Sequence, residues 1–215
     1  MNDHTHFGNV LLMGGTLERA FSIGNSGTVP LNLTGTPKVV LSGSHAANFT
    51  VATQPTSPVA GNGGATIVII SFVPSALGSH NATVSIPNDD NNENPFTFAI
   101  KGVGTAPEIA VSGNGVNITS GDAIPGTADH TAFGSTLVAG GLVQHTFTIT
   151  NSGTAVLNLT GTPRVALVGS SAFVVTAQPA SATLAAGGGK TTFTISYDPT
   201  MVGADSATVS IASDD

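Results

Sequence analysis

The stretch richest in potential chemistry is Asp89-Asp90-Asn91-Asn92-Glu93-Asn94, where every side chain carries oxygen. A calcium ion takes about six to eight oxygen ligands, and clustered Asp, Asn and Glu on one loop can supply them. Asp89, Asp90, Asn92 and Glu93 are therefore candidate calcium ligands, although their spacing is not that of an EF-hand. The same composition also describes a solvated, Asx-rich turn joining two strands. Apart from calcium, no cofactor is implied.

His4 and His6 would share one face of a strand and so could approach a common ion. A second copy of this region has His130 for His4 but Ala132 for His6, with no third ligand beside them. Exposed strand histidines account for the pattern. Hydrolytic chemistry needs a nucleophile, a base and an orienting acid brought together. Serines are plentiful, but no GxSxG occurs, and each His or Asp has an ordinary strand or turn role, so no catalytic residue is assigned and the chain is not expected to be an enzyme. The absence of cysteine excludes disulfides, thiolate metal sites and a Cys nucleophile. Lys38 becomes Arg164 in the second copy, which argues against a repeat-wide Lys–Asn isopeptide bond. The sequons at Asn32, Asn48, Asn81, Asn117 and Asn158 are of the kind that arise by chance in a Thr-rich strand protein.

The elements that must carry these residues are strands. Phe21 and Ile23 alternate with polar neighbours, as do Phe147 and Ile149. Val68, Ile70 and Phe72 share a face, matched by Phe193, Ile195 and Tyr197, and Phe96, Phe98 and Ile100 line another strand. A period of two marks strands with one buried face. Asn25-Ser26-Gly27, Gly61-Asn62-Gly63-Gly64, Asn114-Gly115 and Gly187-Gly188-Gly189 punctuate these runs as turns. No stretch has a convincing helical period.

Repetition organises the whole chain. Asn25 to Pro37 reads NSGTVPLNLTGTP and Asn151 to Pro163 reads NSGTAVLNLTGTP, eleven of thirteen positions matching. The match extends back to Asp3-His4-Thr5 against Asp129-His130-Thr131 and Phe7-Gly8 against Phe133-Gly134. It extends forward to Thr83-Val84-Ser85-Ile86 against Thr208-Val209-Ser210-Ile211, then to Asp89-Asp90 against Asp214-Asp215. The expected architecture is all-β: tandem immunoglobulin-like β-sandwich repeats of about seven strands each. The first repeat, 1–104, lacks the opening strand that Ile109 and Val111 give the second. The second, 105–215, lacks the closing strand of Phe96, Phe98 and Ile100. A window cut from a longer array accounts for both deficits.

Composition narrows the function classes. Of 215 residues, 40% are apolar, enough for real cores, while only 8% are charged and the net charge is −7. Nucleic-acid binding needs clustered cations against phosphate, which this chain cannot supply. No apolar run approaches the length of a membrane span. The start, Met-Asn-Asp-His-Thr-His, is not a signal peptide, so an export signal would lie outside this sequence.

Phe7-Gly8 followed by Gly14-Gly15, the NSGTxxLNLTGTP block, the Val73-Pro74 and Asp198-Pro199 turns and the NDDNNENPFTFAIKGVGTAPEI junction together resemble the bacterial choice-of-anchor D repeat domain. That domain is similar to Hydin-type (ASH) immunoglobulin-like modules. The resemblance spans essentially the whole chain. It implies tandem modules on large secreted or surface-anchored bacterial proteins, hence an extracellular or cell-surface location and a scaffold role without shared catalytic residues. The expected function is a structural repeat of an extracellular fibre, stalk or surface layer, whose partners are identical neighbouring repeats or subunits. The alternatives are an adhesin module binding glycan or a cell-surface protein, and a non-catalytic domain of a secreted enzyme.

Overall fold

β-branched and aromatic residues alternating with Ser, Thr and Asn favour a pleated surface buried on one side. The computed structural model, which describes residues 4–138 and 140–215, is built from such strands. Asp3 of the repeat match lies outside the described residues. Among them the helical content is a single 3-10 turn at Ala46–Asn48, so the fold is all-β. The chain divides into two compact units, Met1–Thr105 and Ala106–Asp215.

The first unit comprises β1 (His6–Leu11), β2 (Leu17–Asn25), β3 (Val40–Ser42), β4 (Phe49–Thr53), β5 (Gly64–Phe72), β6 (Gly78–Ile86) and β7 (Phe96–Thr105). One sheet has the order β1-β7-β6-β3 and the other β2-β5-β4. All pairings are antiparallel except β1 with β7. Val68, Ile70 and Phe72 from one sheet and Phe7, Val84, Ile86 and Ile100 from the other belong to a single apolar cluster. The two sheets thus share a core in a sandwich-like arrangement.

The second unit comprises β8 (Ile109–Gly113), β9 (Val116–Ile118), β10 (Val143–Asn151), β11 (Leu157–Asn158), β12 (Val165–Gly169), β13 (Phe173–Ala177), β14 (Thr183–Leu184), β15 (Gly189–Tyr197) and β16 (Ala207–Ile211). Its sheets run β13-β15-β10-β8-β9, β12-β16 and β11-β14. Phe147, Ile149, Leu157, Val165, Phe193 and Ile195 form its core. A bulge interrupts β4 against β5 between Val51 and Thr53, and β13 against β15 between Val175 and Ala177.

Matching residues of the two units differ in burial, and the ladders explain why. Phe147 and Ile149 are buried, whereas Phe21 and Ile23, read from sequence as core, are only half-buried. β10 is flanked by both β15 and β8, while β2, among the described residues, pairs with β5 alone. The opposite holds on the other sheet. Val84 is fully buried beneath β7, but its counterpart Val209 on β16 is 41% exposed.

Candidate functional site

The repeated NSG block folds around a buried amide. Asn25 lies on the inner face at the end of β2, and its Nδ2 donates to the carbonyls of Val29 and Val59 while Oδ1 accepts the Gly27 N–H. Asn151 repeats this with Ala155, Leu184 and Ala185 as acceptors and Gly153 as donor. Its Oδ1 also accepts the N–H of Glu108, at the entry to β8. Sequence reasoning read the block as a turn and missed the buried clip. A buried amide of this kind is costly to leave unpaired, so Asn is demanded there.

The acidic loop is organised by its own backbone. Asp89 is drawn away from its neighbours: one carboxylate oxygen accepts the Asn32 N–H at 2.8 Å and the other accepts Asn32 Nδ2 at 2.6 Å. Those donors, the side chain foremost, hold the Asp89 carboxyl below its ordinary pKa. Asp90 accepts the Asn92 N–H, and Asn88, buried beneath, donates to the carbonyls of Ile86 and Glu93. Asn92 and Glu93 are exposed. Among the described residues, no three His, Cys, Asp or Glu side chains gather as a group able to hold a metal. His6 Nδ1 accepts the Gly8 N–H, while His130 stacks on His145.

The second unit reveals what the paired aspartates do in a more complete edge. Asp214 clamps Asn158 through the same two bonds, at 2.7 Å each, and its carboxyl is likewise held low, chiefly by the Asn158 N–H. Asp215 accepts the N–H of Ile109, the first residue of β8, at 2.8 Å. Asp90 is the counterpart of Asp215, and among the described residues β2 pairs with no strand on the side where β8 covers β10. Asn25 and Asp90 occupy the positions that match Asn151 and Asp215, the two residues that bond the entry of β8 in the second unit. A cavity of about 980 Å³ opens there, lined by Phe21, Ile23, Phe96, Phe98, Asn25 and Asp90 among others. A second, of about 1140 Å³, opens in the other unit along β16 and includes Phe133, Leu167, Tyr197, Val209 and Ile211. Burial and the nearby Asp205 carboxylate, which accepts the Tyr197 hydroxyl, push the Tyr197 pKa up.

No family model matches the chain, and no curated protein sequence does. Among solved structures, the secreted serine protease VesC from Vibrio cholerae aligns over 96% of this chain and 49% of its own, at 11% identity and a TM-score of 0.38. The chain thus spans about half the length of that protease chain. A protein of unknown function from Porphyromonas gingivalis aligns over 90% of this chain and 79% of its own, at 12% identity and a TM-score of 0.28. The C-terminal domain of the AgI/II polypeptide BspA from Streptococcus agalactiae aligns over 92% and 81%, at 11% identity and a TM-score of 0.27. At these scores the likenesses assign neither family nor function.

Proposed function

We propose that this chain is a pair of tandem immunoglobulin-like repeats of an extracellular fibre, stalk or surface layer, joined head to tail with identical repeats and without catalytic activity. One observation carries the reading. Among the described residues, corresponding strands are completed differently in the two units: β10 pairs with β8 where β2 has no partner, and β6 pairs with β7 where β16 has none. Unpaired edges flanked by apolar residues favour pairing with a further strand, and contacts of that head-to-tail type propagate unless they close. The sparse charge and the Thr- and Ser-covered strand faces suit lateral packing. Light scattering and electron microscopy across a concentration series test the reading. Linear oligomers whose length grows with concentration are expected. A monodisperse monomer throughout contradicts it.

A further inference from the structure

The sequence carries two Asn-Gly dipeptides, Asn62-Gly63 and Asn114-Gly115, one in a turn of each unit. The pairing is chemically labile. The backbone nitrogen after an asparagine can attack that residue's side-chain Cγ, and glycine, having no Cβ, leaves the approach least hindered. Several features are common to the two sites. All four residues are exposed, and both asparagines have left-handed backbone, with φ of 60° at Asn62 and 50° at Asn114. A Cβ built on Gly63 or on Gly115 would meet nothing within 4 Å, so crowding does not distinguish them either. What distinguishes them is the state of the attacking nitrogen.

The Gly63 N–H donates to the Asn25 carbonyl at 2.9 Å, and the Asn62 N–H donates to the Gly27 carbonyl at 2.7 Å. Both bonds tie the dipeptide to the NSG block, which the buried Asn25 amide fastens in turn to Val29 and Val59. A nitrogen held in this way cannot give up its proton and attack until the turn opens, and opening breaks bonds anchored on a buried group. Asn114-Gly115 is the tip of the β8–β9 hairpin, with Gly113 opposite Val116. Positive φ at both tip residues, 50° and 77°, is the pattern of a tight I′ turn. Among the described residues the Gly115 N–H has no hydrogen-bond partner. The restraint on this site is the Asn114 side chain, whose Nδ2 donates to the Ala128 carbonyl at 3.2 Å in an exposed bond. That holds the leaving group less firmly than two anchored backbone bonds hold Asn62-Gly63.

We propose that Asn114 is a site of spontaneous modification, at which the folded chain converts asparagine to aspartate and isoaspartate while sparing Asn62. The Gly115 nitrogen gives its proton to a solvent base and bonds to Asn114 Cγ. The Cγ–Nδ2 bond then breaks, and Nδ2 takes up a proton from solvent and leaves as ammonia. Water opens the resulting imide at either carbonyl, which places the new carboxylate on the side chain or the main chain. No oxidant, reductant or second protein is consumed. The exchange also has a structural consequence. The Ala128 carbonyl loses its donor, and a negatively charged acceptor takes the amide's place. The segment affected packs closely on the hairpin, since a Cβ on Gly113 would collide with the Asp129 carbonyl. Around it a turn is closed by the Ala132 N–H on the Gly126 carbonyl at 2.9 Å, the Gly126 N–H on Thr131 Oγ1 at 2.7 Å and the Thr131 N–H on the Asp129 carboxylate at 3.0 Å. Conversion unfastens this turn from the hairpin tip.

The proposal is independent of the array reading, and its test uses the 215-residue chain alone. The chain is incubated at mildly alkaline pH, and peptide mapping follows the mass gain of amide-to-acid exchange and the isoaspartate content at Asn62 and Asn114. In native buffer, conversion at Asn114 is expected to run at least about tenfold faster than at Asn62, the difference reflecting local opening. In denaturing urea, where the bonds to Asn25 and Gly27 are gone, the two rates should converge. Equal rates in the native chain, or faster conversion at Asn62, overturn the proposal. A difference that persists in urea overturns it as well, because it would then belong to the local sequence and not to the fold. As a second measurement, converted and unconverted chains are separated by charge and compared by amide exchange. Exchange at Gly126, Thr131 and Ala132 should be at least about tenfold faster in the converted chain. Unchanged exchange at those amides overturns the unfastening of the turn.

Discussion

At the scale of single residues, the fold depends on a few polar side chains that do the work of missing backbone. Asn151 has more partners than Asn25, because β8 delivers the Glu108 N–H to it. Asn151→Ala should therefore destabilise the second unit by about 2–4 kcal/mol, the cost of orphaning several buried carbonyls. Asn25→Ala should cost the first unit less, as urea titrations of both variants will read. Asp89 and Asp214 make the stability of both units depend on acid. Their folded pKa values lie below the unfolded ones, so their contribution is complete above the unfolded value near ~4 and is lost as pH falls through the folded value. Asp89→Asn should lower the Tm at neutral pH, and the difference from the parent should vanish in acid. Calcium is tested on the same loop. With both oxygens of Asp89 bonded to Asn32, calcium added after chelation is expected to leave the Tm unchanged. A rise that Asp90→Asn abolishes would put the ion in the loop, since a ligand of the folded state stabilises by mass action.

At the scale of elements, matching sequence does not guarantee matching structure, because a strand is completed by its neighbour. Phe7 is almost wholly buried in β1, while Phe133, in a segment that forms no strand, has a matching aromatic arrangement with Phe173 and Tyr197 but is only half-buried. Phe7→Ala should cost about 3–5 kcal/mol, and Phe133→Ala clearly less, in matched thermal or urea melts. This dependence also marks what the sequence could and could not disclose. The alternation of Val68, Ile70 and Phe72 and of Phe193, Ile195 and Tyr197 placed those side chains inside, and they are. Phe21 and Ile23 show the same alternation, but periodicity reports which face a residue is on, not whether another strand covers that face's rim. The acidic loop was legible as an Asx-rich turn. That Asp89 would clamp Asn32 was not, because the two are far apart in sequence and meet only through the fold. Gln54 and Gln178 were equally silent. Each pairs its side-chain amide with both main-chain groups of one residue, Val39 and Val165, in place of a strand.

At the scale of the whole molecule, matching strands of the two units differ in how they are flanked: β10 and β6 pair with a strand on each side, whereas among the described residues β2 and β16 pair on one side only. Hydrogen bonds at a covered edge open only with the unit, whereas amides on a bare edge exchange through local fluctuation. Amide hydrogen exchange, resolved by residue, compares the two versions of the same strand directly. The account predicts that amides of β6 on the side of β7 are strongly protected, while the amides of β16 facing away from β12 exchange at least about a hundredfold faster under identical conditions. Equal, strong protection across β6 and β16 in the isolated 215-residue chain would contradict it.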